Sequence, residues 1–573
     1  MRTFSTTLAS FLQRTDGAEF RVVLAFAPFT PPYTTTELPG YFASTAVFLI
    51  PTPDDPPGFT YVTDAAVLSV LGCDESVDRL GDVKVEMVDS ALTLQQIHLK
   101  RRVAIYLRPV SGSYLLDPAD IVFLGDIANP IDRAQGKITF DLASAGYAHN
   151  RTVRHLILQS AFPDIDPTLV GGNLPTIYGT VPKVPCVLEN ADINGFIGED
   201  LSASATQVIA IFERAIPTSG YVRIGGELIG YTDWDGFRLK NLQRGFAPSI
   251  SPPPSEHKGE TEVVRVSQQL VFRLASHWVK SVTNVRYGGV SYGFSHNHAG
   301  PLLTVTPASN TLQPAKDLVA DISGLEDDAT GSITGTPYAL IERPDHVVRH
   351  LLRTYGGATS AETRAEDFDA FTDEALGIYL PDEFRVFDVL AEIARQCSAV
   401  ITYSGTRWIM RRQRVINMIA SAGFTDASTL RNEDGTSSLA FSHRDISLIS
   451  NRTLYRYGAI PDGSWVQIQE QEDLESQAVY GVRSATFDFS YFYMPGQAAQ
   501  ILSDLNNRRT GGFGSLVTLS TTIAKLAVEI GDTVTVAHSG FGLTFRGFVT
   551  SIKKDLTGRM FGVVQVGITG KIA

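Results

Sequence analysis

The C-terminal stretch, residues 528–567, constrains the fold most, because apolar and polar residues alternate along it with a period of two. Such alternation predicts short antiparallel strands that bury one face. Turns are predicted at Gly531 with Asp532 and at Thr557 with Gly558, because Gly and Asp tolerate backbone angles that other residues avoid. The alternating runs are residues 528–536, 543–549 and 561–566.

The same pattern occurs a second time, far upstream. In both copies a Phe-x-Gly-x-aliphatic strand follows a variable loop and leads to a polar turn and a final alternating strand. A Gly in such a strand often marks a bulge or a tight bend, as in a small closing barrel. The pattern predicts a structural repeat, although any two β-meanders can share so short a motif. The corresponding stretches are 102–107 with 532–537, 123–127 with 545–549, 132–136 with 555–558, and 137–142 with 561–566.

Composition favours a β-rich chain of several domains. The 573 residues suggest about three to five domains, and 43% of them are apolar, which supplies ample core. The 49 glycines and 29 prolines are typical of β-structure with many turns. The formal net charge of −13 repels nucleic acid, which disfavours a dedicated DNA-reading protein.

Cysteine spacing and hydropathy predict where the chain folds. Cys73, Cys186 and Cys397 are too far apart for a Cys-x-x-Cys zinc motif or a disulfide framework, which suits a reducing cytoplasm. No apolar run reaches the roughly 18 residues of a membrane helix, and residues 1–14 lack a signal-peptide core. We therefore expect folding in a cytoplasm without stable membrane insertion.

Changes of pattern along the chain predict a mainly β, multidomain fold with a small α+β module and two tube-like β-barrel domains plus insertion domains. Repeated prolines around Tyr178 and Pro185 exclude a central strand or a helix there and predict an extended connector along a surface. The predicted regions are an N-terminal tube-like β-barrel domain at 1–155, the connector at 156–190, a β-rich insertion domain at 191–334, the α+β module at 335–440, and a C-terminal tube-like β-barrel domain at 441–573.

Helical spacing is clearest within the α+β module. Pro344 opens a helix that Gly356 stops, since Pro fits the first helical turn and Gly fits the position after the last. Pro381 opens a second helix, and a hairpin around Ser404 and Gly405 follows it. Further predictions are an amphipathic helix within residues 1–14, a strand at 20–26, an exposed loop at 306–328 and a helix at 495–508.

Several segments, in their order along the chain, resemble one known family. They are the meander at 103–142, the connector at 178–185, an insertion at 224–231 with 242–245 and 257–259, a helix–helix–hairpin module at 344–357 and 382–412, and a closing barrel at 451–457 and 528–536. This order resembles the tail hub, also called baseplate hub or tail-tip, proteins of tailed bacteriophages. Residues 1–60 and 290–335 match nothing in that pattern.

The resemblance implies a structural virion protein and not an enzyme. It implies a homotrimer at the distal end of the tail, assembled in the host cytoplasm, in which each chain contributes two tube-like barrels. Three chains would then present a pseudo-sixfold ring to a hexameric tail tube. The implied partners are the tail tube or distal tail protein, the tape-measure protein, and tail fibre or tip proteins. DNA would pass without sequence-specific binding, and no cofactor is implied.

Acidic residues crowd one part of the α+β module and raise the question of catalysis. A glycosidase of the paired-carboxylate kind needs two carboxyl groups roughly 5 to 10 Å apart across a cleft. We favour a solvated acidic loop instead, because runs of like charge usually face water. The residues are Glu362, Glu366, Asp367, Asp369, Asp373, Glu374, Asp382 and Glu383.

Other candidate sites carry weaker patterns. His296 and His298 would share one face of a strand, with His277 as a third metal ligand, but no acidic or Cys partner has a suitable spacing. The basic residues 411–414 predict an exposed strand end better than a nucleic-acid site, given the negative net charge. The chain has neither a Gly-x-Ser-x-Gly elbow nor a phosphate-binding loop. We therefore predict no catalytic, cofactor-binding or metal-binding residues.

Three alternatives stay open. A secreted β-rich carbohydrate-binding protein or hydrolase would have a signal peptide and an aromatic cleft with two close carboxylates. A receptor-binding fibre protein would have long fibrous repeats. A spike hub from a contractile injection machine is poorly separated from a phage tail hub by sequence.

Overall fold

The fold is described from a computed structural model of the 573-residue chain. Strands dominate the secondary structure, so the prediction of a mainly β chain is confirmed. The structure describes residues 5–12, 20–26, 40–43, 48–49, 61–62, 67–76, 79–89, 97, 99–109, 118–163, 165–189, 193–244, 253–266, 270–287, 290–296, 302–305, 318–413, 420–431, 435–442, 449–498, 501–502, 515–539, 542–555 and 563–572.

The described residues of the N-terminal part form one short α-helix and nine strands. Helix α1 (Thr6–Leu12) lies within the predicted amphipathic segment and buries Leu8 and Leu12. The amide and hydroxyl of Ser5 donate hydrogen bonds to the Asp120 carboxylate at 2.9 and 2.8 Å, which fixes the start of the helix. The strands are β1 (Phe20–Phe26), β2 (Gly40–Ala43), β3 (Phe48–Leu49), β4 (Tyr61–Val62), β5 (Val67–Ser76), β6 (Arg79–Val88), β7 (Arg102–Pro109), β8 (Ile121–Ala134) and β9 (Lys137–Ser144).

The middle of the chain forms separate smaller sheets. Its strands are β10 (Thr152–Val153), β11 (Thr176–Tyr178), β12 (Thr180–Pro185), β13 (Val187–Leu188), β14 (Ile193–Ile197), β15 (Gln207–Phe212), β16 (Gly220–Ile224), β17 (Glu227–Tyr231), β18 (Asp233–Trp234), β19 (Arg238–Lys240), β20 (Glu262–Val266), β21 (Leu270–Arg273), β22 (Ser281–Tyr287), β23 (Val290–Ser291), β24 (Phe294–His296), β25 (Leu302–Val305) and β26 (Val319–Ser323).

Two apolar cores hold these sheets together. Sheets β12-β26-β22-β23 and β13-β21-β25-β24 share a core that includes Val181, Phe272 and Ile322. The sheet β17-β16-β20-β14-β15-β19-β18 has its own core around Val208 and Ile229.

The α+β module contains the predicted pair of helices and a hairpin. Helix α2 (Pro344–His350) continues as a π-helical turn over Leu351–Tyr355 and ends at Gly356, as predicted. Strands β27 (Ile378–Leu380) and β28 (Phe384–Arg385) precede helix α3 (Val386–Gln396), and β29 (Ala399–Ser404) pairs with β30 (Arg407–Arg412). Gly405 has φ of 62° in the turn between them, which confirms the hairpin.

The C-terminal part returns to strands. They are β31 (Ala422–Thr425), β32 (Ala440–Ser442), β33 (Arg452–Ala459), β34 (Trp465–Glu472), β35 (Ser484–Phe489), β36 (Ser515–Thr522), β37 (Thr533–His538), β38 (Leu543–Asp555) and β39 (Val563–Ile572), with helix α4 (Leu474–Tyr480) between β34 and β35. Gly531 has φ of 86° and the Asp532 carboxylate accepts a hydrogen bond from the Glu529 amide at 2.9 Å, so the predicted turn before β37 is confirmed.

The longest sheet joins the two ends of the chain. Its 13 strands run in the order β2-β1-β7-β8-β9-β6-β5-β38-β39-β36-β32, with β37 beside β38 and β31 beside β37. Side chains from both ends of the chain meet in one apolar core, which includes Leu142 from β9 and Ile568 from β39, and Leu8 of α1 packs into the same core. The two ends of the chain therefore form one packed body.

Three predictions about the middle of the chain are wrong. Helix α3 begins at Val386 and not at Pro381, because β28 pairs with β10 before the helix starts. Part of the loop predicted at 306–328 is strand β26, which pairs with both β12 and β22. The connector is extended, but β11 is fully buried and paired with β27, so it does not run along a surface there.

Some predictions fall on residues outside those described, namely the turn at Thr557 with Gly558 and most of the helix at 495–508. None of the described helices combines the length and apolar character that crossing a membrane requires.

Candidate functional site

Two four-stranded modules with the same strand order form most of the long sheet. In the first module, consecutive strands β6 to β9 lie in the order β7-β8-β9-β6. In the second, consecutive strands β36 to β39 include the path β38-β39-β36, with β37 on the other side of β38. In both modules the first strand pairs antiparallel with the last. The predicted repeat is therefore present in the topology. It also includes the first strand of each module, β6 or β36, which the repeated sequence pattern did not cover.

The two modules also share their register. Val103 stands opposite Gly125 and Ile105 opposite Phe123 in the first module. In the second, Val534 stands opposite Gly547 and Val536 opposite Phe545. The Phe-x-Gly motif therefore occupies the same two positions in both copies.

Glycine is required at positions 125 and 547 for the same steric reason. A Cβ atom on Gly125 would lie 2.6 Å from the carbonyl oxygen of Ala143, and one on Gly547 would collide with the carbonyl oxygen of Thr569. Each of these carbonyls belongs to the residue just before the one that pairs with the glycine, Ser144 in β9 and Gly570 in β39. The backbones approach so closely there that neither position has room for a side chain.

Two of the strand matches made from sequence need a correction. Register equates Val103 with Val534, one position beyond the match of 102–107 with 532–537. The match of the last strands is also displaced. The sequence pairs residues 137–142 with 561–566, but register pairs Leu142 with Ile127 and its counterpart Ile568 with Val549. Strand β39 is thus displaced by two positions relative to the sequence match. The cause is the turn, since β9 follows β8 after Gln135 and Gly136, whereas residues 556–562 separate β38 from β39.

A bulge follows the glycine in both modules, and the strand continues beyond it. The pairing shifts between Ala128 and Ile131 in β8 and between Val549 and Ser551 in β38. Beyond its bulge, β38 leaves β37 and pairs with β5, the strand beside β6 of the first module, with Lys553 opposite Asp74. This antiparallel contact is the junction that makes the two modules one sheet.

An ion-pair cluster fastens the α+β module to the C-terminal module. Arg407 of β30 bonds to Asp367 and also to Glu529, whose carboxylate lies 3.2 Å away just before β37. Arg411 lies 3.7 Å from the same Glu529 and 3.5 Å from Asp369. Glu529 is buried, and the two arginines compensate its charge.

The acidic residues of the α+β module are mainly paired with cations, and the prediction of a solvated loop is wrong for Asp367 and Glu374. Both are buried, Asp367 against Arg364 and Arg407, and Glu374 against Arg412. Of the remaining residues, Asp369 accepts from the Arg412 amide, Glu366 lies near Arg364, Glu383 pairs with Arg154, and Asp373 and Asp382 are exposed.

Glu362 has a separate environment at the edge of this cluster. Burial acts to raise the pKa of Glu362, but hydrogen bonds from His149 and from Thr359 outweigh it and lower the pKa to about 2. The His149 Nε2 atom lies 3.3 Å from the carboxylate and the Tyr403 hydroxyl lies 3.2 Å from it. A carboxylate held this firmly in its ionised form is a poor general acid at neutral pH.

The basic residues 411–414 are not an exposed strand end where they are described. Arg411 is half-buried beside Asp369, and Arg412 is half-buried with its guanidinium 4.3 Å from the centre of the Phe371 ring. Gln413 donates its amide to the Ser398 carbonyl, and Arg414 lies outside the described residues.

The three histidines weighed as metal ligands do not assemble into a site within the described part of the chain. His277 Nε2 accepts from the Ile177 amide at 2.9 Å while its Nδ1 lies 2.7 Å from the Trp278 carbonyl, so both ring nitrogens are occupied. Burial lowers the pKa of His277 to about 4. His296 is on β24 and His298 is not described. No group of metal-binding side chains occurs among the described residues.

Comparisons with known proteins give distant structural likenesses. No protein-family model matches the chain, and no curated protein matches it in sequence. The 43 kDa tail protein of prophage MuSo2 from Shewanella oneidensis is similar over 96% of this chain and 98% of its own, with 9% identity and a TM-score of 0.39.

Two further solved structures are similar over shorter parts. A chain of the native gene transfer agent virion covers 70% of this chain and 84% of its own, with 13% identity and a TM-score of 0.33. The prophage tail protein gp18 from Listeria monocytogenes EGD-e covers 66% and 94%, with 11% identity and a TM-score of 0.25. All three are tail or virion proteins, but likeness at this level assigns no function to the present chain.

Proposed function

We propose that this chain is a structural virion protein, a tail hub of which three copies form a ring at the distal end of a phage tail. The observation that carries the proposal is the repeated module, with its shared strand order, shared register and equivalent glycines in both copies. Two equivalent modules per chain allow three chains to present six similar units. A threefold assembly can then match a sixfold tube without any change in the tube subunits.

The proposal uses the domain limits predicted from sequence, with one change. The tube-like domains are 1–155 and 441–573 together with β31, which lies within 335–440 but pairs with β37 of the long sheet. The regions 156–190 and 191–334 and the rest of 335–440 are placed on the outside of the ring. There they would contact the distal tail protein and the tail fibres or tip proteins. The ring would surround a channel that the tape-measure protein occupies before infection.

DNA would pass through this channel after the tape-measure protein leaves. The net charge of −13 supports such a role, because a negative wall repels phosphate groups and does not retain DNA. No described residue cluster favours the alternative of a secreted hydrolase, since the buried members of the acidic cluster are neutralised by arginines.

The proposal is tested by mass and by position. Light scattering of the purified chain at micromolar concentration should give three times the chain mass of 62.3 kDa. Antibody to the chain should label the distal end of the tail in electron micrographs of particles. A monomer together with label elsewhere on the particle, or no label, would exclude the tail hub.

A further inference from the structure

Beyond their bulges, the equivalent segments of β8 and β38 have different neighbouring strands. Ile131 pairs with Phe140 in the first module, and Ile552 pairs with Val566 in the second. By the same count, Asp132 corresponds to Lys553. The segments that follow the bulge in β8 and in β38 are therefore structural counterparts.

The outer edge of each segment is the edge that faces away from β9 or β39. Among the described residues, only one of the two segments has a neighbouring strand on this edge. In β38, residues 551–554 pair with β5. In β8, contact with the β7 side ends at Ile127, which exchanges backbone hydrogen bonds of 2.9 Å with Lys100 and Arg101. Beyond that point the described residues that pair with β8 all belong to β9, and Asp132, Arg133 and Ala134 are exposed.

The partner strand of the junction, β5, also has a counterpart. Strand β5 lies beside β6 with Asp74 opposite Asp82, and β32 lies beside β36 with Ser442 opposite Leu516. Asp82 and Leu516 are equivalent, because each precedes the residue that pairs with Leu142 or Ile568. Ser442 therefore corresponds to Asp74, and β32 is the last strand on its side of the sheet.

We propose that the outer edge of β8 pairs antiparallel with β32 of a second copy of this chain, with Asp132 opposite Ser442. The contact repeats between copies the junction that β38 and β5 form within one chain. The two edges are not paired with each other in one copy, where six strands separate them along the sheet. Seven inter-strand spacings of about 4.8 Å place the two edges roughly 34 Å apart along the sheet, so the partner edge comes from another chain.

The inference rests on the proposed ring and gives it a specific contact. The two edges differ from each other, so the interface is head-to-tail and needs a closed ring to avoid open filaments. A strand at the edge of a sheet favours addition of another strand. In a trimer, junctions within chains would alternate with junctions between chains around the ring.

Cysteine pairs test the contact directly. Residues opposite each other in antiparallel strands have Cα atoms roughly 4.5 to 5.5 Å apart, within the range of a disulfide. In a Cys73→Ser background, the Asp132→Cys, Ser442→Cys variant should form disulfide-linked trimers on mild oxidation. The matched control, Asp74→Cys with Lys553→Cys, should form a disulfide within the monomer. Mixing the single variants Asp132→Cys and Ser442→Cys should give linked dimers.

Two results would separate the inference from the proposed function. If the control pair closes and the test pair does not, the edge contact is excluded, even where the wild type is trimeric and labels the tail end. If the mixed single variants give no linked dimer while the double variant closes within one chain, the second copy is excluded as the partner. A linked trimer supports the contact whatever the position of the protein in the particle.

Discussion

At the scale of single residues, Gly125 and Gly547 illustrate one steric constraint that occurs in both modules, because the neighbouring backbone lies too close for any side chain. Ala at either position would place Cβ against a carbonyl oxygen, so the paired strands would have to separate. We expect Gly125→Ala and Gly547→Ala each to lower the free energy of unfolding by about 1–3 kcal/mol. Gly293→Ala is the control, because nothing lies within 4 Å of its Cβ position. Chemical denaturation measures the difference, and equal losses in all three variants would contradict it.

His350 gives the fold a dependence on pH. Its Nδ1 lies 2.8 Å from the Tyr178 hydroxyl and its Nε2 lies 3.1 Å from the Thr354 hydroxyl. Burial lowers the pKa of His350 to about 3, below the roughly 6.5 of an unfolded histidine. Between these values the unfolded chain binds a proton that the folded chain does not, so stability falls as pH falls from about 6.5 to 3.

The substitution His350→Asn should reduce this dependence. Asn keeps an acceptor for the Tyr178 hydroxyl but does not titrate in that range. The melting temperature of the wild type should fall more between pH 7 and pH 4 than that of the variant, and scanning fluorimetry measures both. An unchanged difference would show that protonation of His350 does not contribute.

At the scale of elements, the buried cluster around Glu529 holds the β29–β30 hairpin against the C-terminal module. Glu529→Gln removes the charge that compensates Arg407 and Arg411, so we expect a loss of about 3–5 kcal/mol in unfolding free energy. The control Lys258→Met breaks the exposed pair with Asp200, which should leave the unfolding free energy close to that of the wild type because water screens this pair. Similar losses in both variants, compared by denaturant titration, would mean that burial of the cluster has little effect.

The same elements show what the sequence could predict. The repeat was found through Phe123 with Gly125 and Phe545 with Gly547, because the alternation and the glycine are local features that set the register. The match of β6 with β36 was missed, since the two strands share only alternation. The pairing of Arg407 with Glu529 was also missed, because it joins residues 122 positions apart. The run of acidic residues alone therefore predicted a solvated loop, whereas the fold places arginines beside several of these carboxylates.

At the scale of the whole molecule, the two ends of the chain share one core and should unfold together. Leu142 and Ile568 belong to the same apolar cluster, although β9 and β39 lie in different modules. Long-range strand pairing between β5 and β38 joins the same modules through the backbone. A substitution that destabilises one module should therefore also destabilise the other.

Ile568→Ala tests this coupling. Removing a fully buried isoleucine side chain costs about 2–5 kcal/mol, and we expect faster hydrogen exchange in β6–β9 as well as in β36–β39. Ile322→Ala is the matched control, because Ile322 is equally buried but belongs to the core between the sheets of β12 and β13. Its effect should be confined to those sheets. If Ile568→Ala accelerates exchange only in β36–β39, the two modules open independently, and the shared core does not make them one cooperative unit.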